Sequence, residues 1–280
     1  MTNPIADPIV EVLDTDATSD LVLIEATPEG AVTVTINRAA KKNAFDPTVI
    51  GALHEAFETL QNQEHVRIVF LTGAGDAFSA GADLEWMKAS ADYTEDENRA
   101  DALHLAKMLK ALHDIPALTV ALVDGPAFGG GAGLVAACDM AVATAGSKFA
   151  FSEVRLGLTP ATISPYVVAA IGPRNAKVLF ATGRIFGAED AQTWGLVQEV
   201  VPDAATLTIV KEALSKGMLE CAPGAVGDAK RLVDDVAGRE IDSNLLHETA
   251  KRIAARRVSE EGQEGVRAFL ERRKPSWAQG

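Results

Sequence analysis

Three consecutive glycines, Gly129-Gly130-Gly131, lie between an apolar run, Leu118 to Val123, and a small-residue run, Leu134 to Cys138. The first run predicts a buried strand and the second a helix, so the chain turns from strand to helix through residues that have no side chains. Such a turn leaves the first backbone N–H groups of the helix without intrahelical acceptors, which makes it a place where an oxyanion is stabilised. A second turn has the same construction. The apolar run Ile68 to Leu71 leads into Phe78-Ser79-Ala80-Gly81-Ala82-Asp83-Leu84, again a small-residue loop before a helix. Read singly, either turn is an ordinary tight connection. Together they offer two N–H donors to one carbonyl oxygen, and the backbone N–H groups of Ala82 and Gly130 are the candidates.

The remaining sequence alternates strand and helix signals. Leu21 to Glu25 and Ala31 to Ile36 flank Pro28-Glu29-Gly30 as a hairpin. Asp46-Pro47 opens a helix carried by Ile50, Leu53, Ala56, Phe57 and Leu60. Val66 to Leu71 reads as a strand, Leu84 to Met87 as the start of a helix, and Asn98 to His113 as a longer helix stopped by Pro116. Met140 to Ala143 and Lys148 to Phe151 read as short strands. The pattern predicts an α/β fold with parallel strands over residues 21–203. After Pro202 the strand signals end, and residues 204–280 read as an all-helical region whose apolar stripes need a covering surface, either the core or a second copy of the chain. Residues 1–20 are polar and acidic and read as a loosely ordered extension.

Charge narrows the partners. The 280 residues carry 26 Lys and Arg against 39 Asp and Glu, a net charge of -13, which argues against non-specific nucleic-acid binding and against an anionic membrane surface. The two cysteines, Cys138 and Cys221, show no zinc spacing, and no metal site is expected. No basic-then-apolar leader and no membrane-length apolar run is present, so a cytoplasmic protein is expected. In so acidic a chain the basic clusters Arg256-Arg257 and Arg272-Arg273-Lys274 stand out, although each is equally a solvated helix face.

One carboxyl group fits proton transfer beside the two donors. Glu153 follows the apolar stretch Phe149-Ala150-Phe151, where desolvation raises a carboxyl toward the range of a general acid or base. Taken alone it reads equally as a surface residue paired with Arg155.

The ordered set Asn37-Arg38 with Asn43-Ala44, Phe78 to Asp83, Val123 to Gly131, Cys138-Asp139, Ser152-Glu153 with Gly157, and Thr182-Gly183 with Ala191 and Gly195-Leu196-Val197 closely resembles the crotonase superfamily, the enoyl-CoA hydratase/isomerase family. The resemblance implies a spiral of ββα units followed by a helical C-terminal region, assembled as a homotrimer or homohexamer. It implies an acyl-CoA thioester as substrate, with no cofactor beyond its coenzyme A moiety, and places the oxyanion donors at Ala82 and Gly130 and the proton-transfer group at Glu153. It further implies coenzyme A contacts at Arg38, Lys42 and Ala80, with Phe269, Arg272 and Lys274 reaching a bound or neighbouring nucleotide, and an acyl pocket at Trp86, Met87, Gly133 and Thr162. Family hydratases with two glutamates carry the second at the position of Gly133, so the resemblance leaves hydration, single-glutamate isomerisation, hydratase-lyase chemistry on an aromatic acyl-CoA and non-catalytic acyl-CoA binding open. The segments Ala82 to Met87, Glu153 to Gly157 and Leu158 to Pro165 look like a bacterial methylglutaconyl-CoA hydratase-like branch that serves leucine and isoprenoid catabolism. Its substrate carries a distal carboxylate, for which Arg155 is a conceivable counter-charge; Thr162 and Ser164 are candidates to hold water.

Overall fold

A computed structural model describes residues 20–278, so the expected N-terminal extension lies outside the described residues except for Asp20. The main sheet has the order β1-β2-β3-β4-β6-β9, formed by Val22–Ala26, Ala31–Ile36, Ile68–Gly73, Leu118–Val123, Met140–Thr144 and Glu199–Val201. Only β1 and β2 pair antiparallel, as the hairpin around Gly30 dictates; every other pairing in this sheet is parallel. A second, smaller sheet is ordered β5-β7-β8, from Pro126–Phe128, Lys148–Ala150 and Phe186–Gly187.

The two sheets are visited in turn. After β4 the chain enters β5 and then helix α4 (Gly130–Ala137); after β6 it enters β7 and then helix α5 (Ser164–Thr182). The segment after β3 makes the same crossing in miniature, since Ser79 bridges Ala127 of β5 before helix α2 (Leu84–Ser90) begins. This is the expected spiral of ββα units. Each crossing delivers a loop to the end of the small sheet, and these loops build the site.

Period-two alternation divides the main sheet into two buried faces. Val32, Val34, Ile36, Val69, Leu71, Ala121, Val123, Ala141 and Ala143 share one core with helices α1 (Pro47–Gln61), α3 (Glu95–His113) and α4. Ala31, Ile68, Phe70, Val120, Leu122 and Val142 face the other way and pack with Val201, Leu207, Val210, Leu214 and Met218. The last four lie on helix α7 (Ala204–Met218). The first helix of the C-terminal region therefore completes the sheet's second face, and the division at 203/204 falls inside one packed unit. Helices α8 (Pro223–Val236), α9 (Ser243–Val258) and α10 (Glu260–Leu270) follow, with helix α6 (Ala188–Trp194) lying between β8 and β9.

Local signals explain most boundaries, including two that the sequence reading placed differently. Helix α3 starts at Glu95, not at Asn98, because Thr94 and Glu97 form a reciprocal capping box. Helix α5 was not anticipated: Pro165 stands in its first turn, where proline fits, and Gly172-Pro173 interrupts it with a left-handed φ of 73°. Among the described residues no helix is long and apolar enough to cross a membrane.

Candidate active site

Two parallel strands end side by side and so bring two loops together. Phe128 of β5 pairs with Ala150 of β7, and the N–H of Gly129 donates to the Ala150 carbonyl at 2.9 Å. One strand then opens into the glycine turn and the other into Ser152-Glu153. Gly129 has φ 50° and ψ -119°, a conformation that excludes ordinary L side chains. A Cβ built there would lie 3.4 Å from Glu153 Oε1, so the carboxyl group rests against the first residue of the turn.

The neighbouring glycines of α4 each face a different wall. A Cβ on Gly130 would meet the Phe45 ring at 3.0 Å, one on Gly131 the Ser79 carbonyl at 2.7 Å, and one on Gly133 the Ile163 Cγ2 at 2.2 Å. Gly81, across the gap, approaches the Phe128 carbonyl to 2.8 Å in the same sense and has φ 89°. The two turns are thus packed backbone against backbone, a separation only glycine permits.

Hydrogen bonding leaves an N–H group free in each turn. In the Ser79–Asp83 loop, the N–H of Ser79 donates to the Pro126 carbonyl, that of Ala80 to Lys42, that of Gly81 to Ser79 Oγ and that of Asp83 to Phe45. Phe45 N–H in turn donates to the Gly81 carbonyl, so Ala82 sits between two bonds to Phe45 and its own N–H points away from that strand. Ala82 is exposed, and among the described residues its N–H has no acceptor outside helices and strands. Gly130 opens α4, whose earliest intrahelical bond runs from Gly133 N–H to the Gly129 carbonyl. Its N–H is one of the orphan donors at a positive helix end.

Glu153 stands at the start of a short 3-10 turn, Glu153–Leu156. Its Oε2 is buried and has no hydrogen-bond partner, and no ion pair reaches it among the described residues. Burial pushes its carboxyl above the usual value, against a smaller opposing pull from its own backbone N–H. The candidate partner Arg155 is exposed and lies along Gly183, where a Cβ would fall 3.3 Å from its Cγ; the same 3-10 turn sends the two side chains in different directions.

The anticipated acyl-pocket residues lie close by in the chain path. Trp86 and Met87 are half-buried in the first turn of α2, directly after Ala82 and the helix-capping Asp83. The indole Nε1 of Trp86 is buried without a hydrogen-bond partner. Thr162 is half-buried just before α5, and the Ser164 hydroxyl donates to the Ala161 carbonyl. Beside them Ile163 supplies what sequence reasoning missed: its methyl occupies the space a side chain at Gly133 would need. The space beside Gly133 is filled by hydrocarbon from the next loop, a packing relation that no linear motif displays.

The anticipated coenzyme A contacts divide into three groups. Lys42 is exposed at the rim beside Ala80, with its ammonium 2.5 Å from Asp76. Arg38 is placed differently from the expectation, because its guanidinium is turned inward onto Asp46 and Asp83, each at 2.8 Å. Phe269 and Arg272 are not brought to Glu153 within this chain. The helix that carries Phe269 and ends just before Arg272 is tied through Glu261 to the N–H groups of Gly224 and Ala225, next to Pro116 at the opposite end of the parallel strands. Phe269 is 81% exposed there.

A sequence profile of the enoyl-CoA hydratase/isomerase family matches residues 26–280. The chain belongs to the enoyl-CoA hydratase/isomerase family. A solved enoyl-CoA hydratase from Shewanella pealeana is 36% identical with a TM-score of 0.90, covering 96% of this chain and 99% of that one. A crotonase-group structure from Legionella pneumophila is 44% identical, with a TM-score of 0.86 and coverage of 92% and 98%. The hydroxycinnamoyl-CoA hydratase-lyase of Pseudomonas fluorescens is 31% identical over 250 residues, 87% of this chain and 90% of that protein. The crotonase fold and an enzyme acting on acyl-CoA thioesters follow from this membership.

Two outcomes test this geometry. A raised carboxyl costs stability only when it must ionise, so Glu153 is neutral and harmless below about pH 4, and stability is lost as pH rises through its folded value. Glu153→Gln raises the melting temperature at pH 7, with a gap over the parent that closes on acidification. A gap independent of pH contradicts the assignment. Gly133→Ala drives a methyl into the β-branched Ile163 and destabilises by about 1–3 kcal/mol despite its better helix propensity. In urea unfolding, Ile163→Ala in the same chain reduces that penalty by removing the Cγ2 clash and leaves the Ile163 Cβ contact at 2.9 Å; strict additivity of the two changes contradicts the contact.

Proposed function

We propose that the protein is a single-carboxylate hydro-lyase that reversibly adds water to the double bond of a short 2-enoyl-CoA, with 3-methylglutaconyl-CoA as the favoured substrate. The observation that carries this reading is the buried, unpartnered Glu153 carboxyl resting on the glycine turn that offers the Gly130 N–H. The thioester oxygen accepts from Ala82 and Gly130. Glu153 takes a proton from water as its oxygen bonds to C3, and the electron pair of the double bond moves onto the thioester oxygen as an enolate. The enolate then collapses, C2 receives the proton from Glu153, and the carboxylate is restored. Each preorganised donor lowers the barrier by about 3 kcal/mol, since the charge it meets develops only in the transition state.

One group serves both proton transfers because Gly133 carries no second one and Ile163 closes that side. The hydratase names among its relatives support hydration. The same apolar wall favours a second reading, in which Glu153 shuttles a proton between C2 and C4 of a 3-enoyl-CoA without water. Coenzyme A phosphates are expected at the Lys42 rim, and a homotrimer or homohexamer is expected to bring the exposed Phe269 and Arg272 of one copy toward the site of another. A cytoplasmic location accompanies this reading.

Product identification by mass and absorbance decides between the two. Incubation with crotonyl-CoA, 3-methylglutaconyl-CoA, a 3-enoyl-CoA and feruloyl-CoA yields the hydrated product from 3-methylglutaconyl-CoA well above that from crotonyl-CoA. Conversion of the 3-enoyl to the 2-enoyl thioester with no gain of water overturns the hydro-lyase assignment.

A further inference from the structure

Arg38 was expected among the coenzyme A contacts, yet its surroundings describe another task. One guanidinium nitrogen, Nη1, donates to the Ala44 carbonyl at 3.0 Å and lies 2.8 Å from Asp83, while Nη2 lies 2.8 Å from Asp46. Ala44 and Asp46 are the two neighbours of Phe45, and Asp83 directly follows Ala82. Phe45 is the residue whose N–H and carbonyl bracket Ala82, through bonds of 2.7 Å to Gly81 and Asp83. A single planar cation thus grips both strands of the bridge that aims the Ala82 N–H.

The grip is extended by the groups it holds. Asp46 and Asp83 are the N-caps of α1 and α2, accepting from Val49 N–H and Glu85 N–H at 2.9 and 2.8 Å. Arg38 therefore joins two helix starts as well as two strands. Its own backbone N–H donates to Asn43 Oδ1, and Asn43, fully buried with φ 54°, donates from Nδ2 to the Ala74 and Ala77 carbonyls. Asp83 is 4% exposed, so its charge depends on nearby cations, of which Arg38 and Lys41 are in contact. The guanidinium donates one hydrogen bond, to the Ala44 carbonyl, and holds Asp46 and Asp83 as ion pairs; among the described residues Asp83 Oδ2 accepts no hydrogen bond. A delocalised guanidinium spreads its charge over both carboxylates, which a point-like ammonium does not.

We propose that Arg38 is a positioning residue: it fixes the Phe45–Ala82 bridge and thereby the aim of the first oxyanion donor, and it does not bind the coenzyme A phosphates. This rests on the proposed use of Ala82 as an oxyanion donor.

The test is Arg38→Lys, which keeps the charge and loses the fork. Three quantities are read: kcat and KM on the enoyl-CoA that the parent enzyme turns over best, the dissociation constant for free coenzyme A by calorimetry, and the red shift of bound 2,4-hexadienoyl-CoA. That shift reports polarisation of the thioester carbonyl whatever reaction follows. Positioning predicts at least a tenfold loss of kcat, a reduced red shift and a coenzyme A dissociation constant within about twofold of the parent. A tenfold weaker coenzyme A affinity with kcat and red shift retained overturns the proposal in favour of a phosphate contact. No change in any quantity also overturns it. If Arg38→Lys does not fold, Asp46→Asn is the second variant, because asparagine still caps α1 while the charge that holds the fork is gone. It shows the same pattern, reduced to a kcat loss of severalfold; an unchanged red shift contradicts the proposal. A parent enzyme that shifts the hexadienoyl spectrum but turns over no enoyl-CoA defeats the proposed function alone and leaves the Arg38 test intact.

Discussion

The site rests on a close approach between two stretches of backbone. The Ser79–Ala82 loop and the Gly129–Gly131 turn lie so near each other that a Cβ on Gly81 or Gly131 would come within 2.8 Å of the opposing chain. Everything that makes the site useful depends on that separation. It brings the Ala82 and Gly130 N–H groups, from distant parts of the sequence, onto neighbouring turns. The Ser79–Ala127 bridge joins the first loop to the same small sheet that, through Phe128 and Ala150, delivers Glu153. Both turns and the Glu153 carboxyl are placed by the pairing of this small sheet.

Around this contact polarity is distributed unevenly. On one side stand a raised carboxyl with a buried, unpartnered oxygen and a helix N-terminus. On another, Ile163 closes against Gly133. On a third, Arg38, Lys41, Asp46 and Asp83 form a charge network that holds the first loop from behind. Burial raises Glu153, whereas Asp83 behaves oppositely. Burial is the largest influence on Asp83 and pushes it up, but the Glu85 N–H, Lys41 and Arg38 together hold its carboxyl below the usual value. Burial favours the neutral form of one acid, while hydrogen bonds and nearby cations favour the ionised form of the other.

The sequence disclosed much of this and concealed a definable remainder. The strands and the two small-residue loops were legible as apolar runs followed by glycine and alanine, whereas the donor roles of Ala82 and Gly130 are an expectation that rests on the two turns taken together. Glu153 was legible because an apolar strand precedes it. The start of α3 was missed through an exposed capping box, and α5 through prolines and a glycine that read as breaks. Arg38 was expected at coenzyme A from the family resemblance, and its ion pairs with Asp46 and Asp83 were not legible because those partners become neighbours only after folding. The packing of Ile163 against Gly133 was invisible for the same reason, since 30 residues separate the two. Relations between loops, rather than the identity of any residue, were what the linear chain withheld.

The central claim is that two backbone N–H groups polarise a thioester carbonyl, and difference infrared spectroscopy reads that polarisation directly. A 13C-labelled thioester carbonyl in bound crotonyl-CoA should absorb at lower frequency than in solution, since donation from Ala82 and Gly130 draws charge onto the oxygen and weakens the C=O bond. A bound carbonyl at its solution frequency would contradict the account, because the oxygen would then lie outside the space between the two turns.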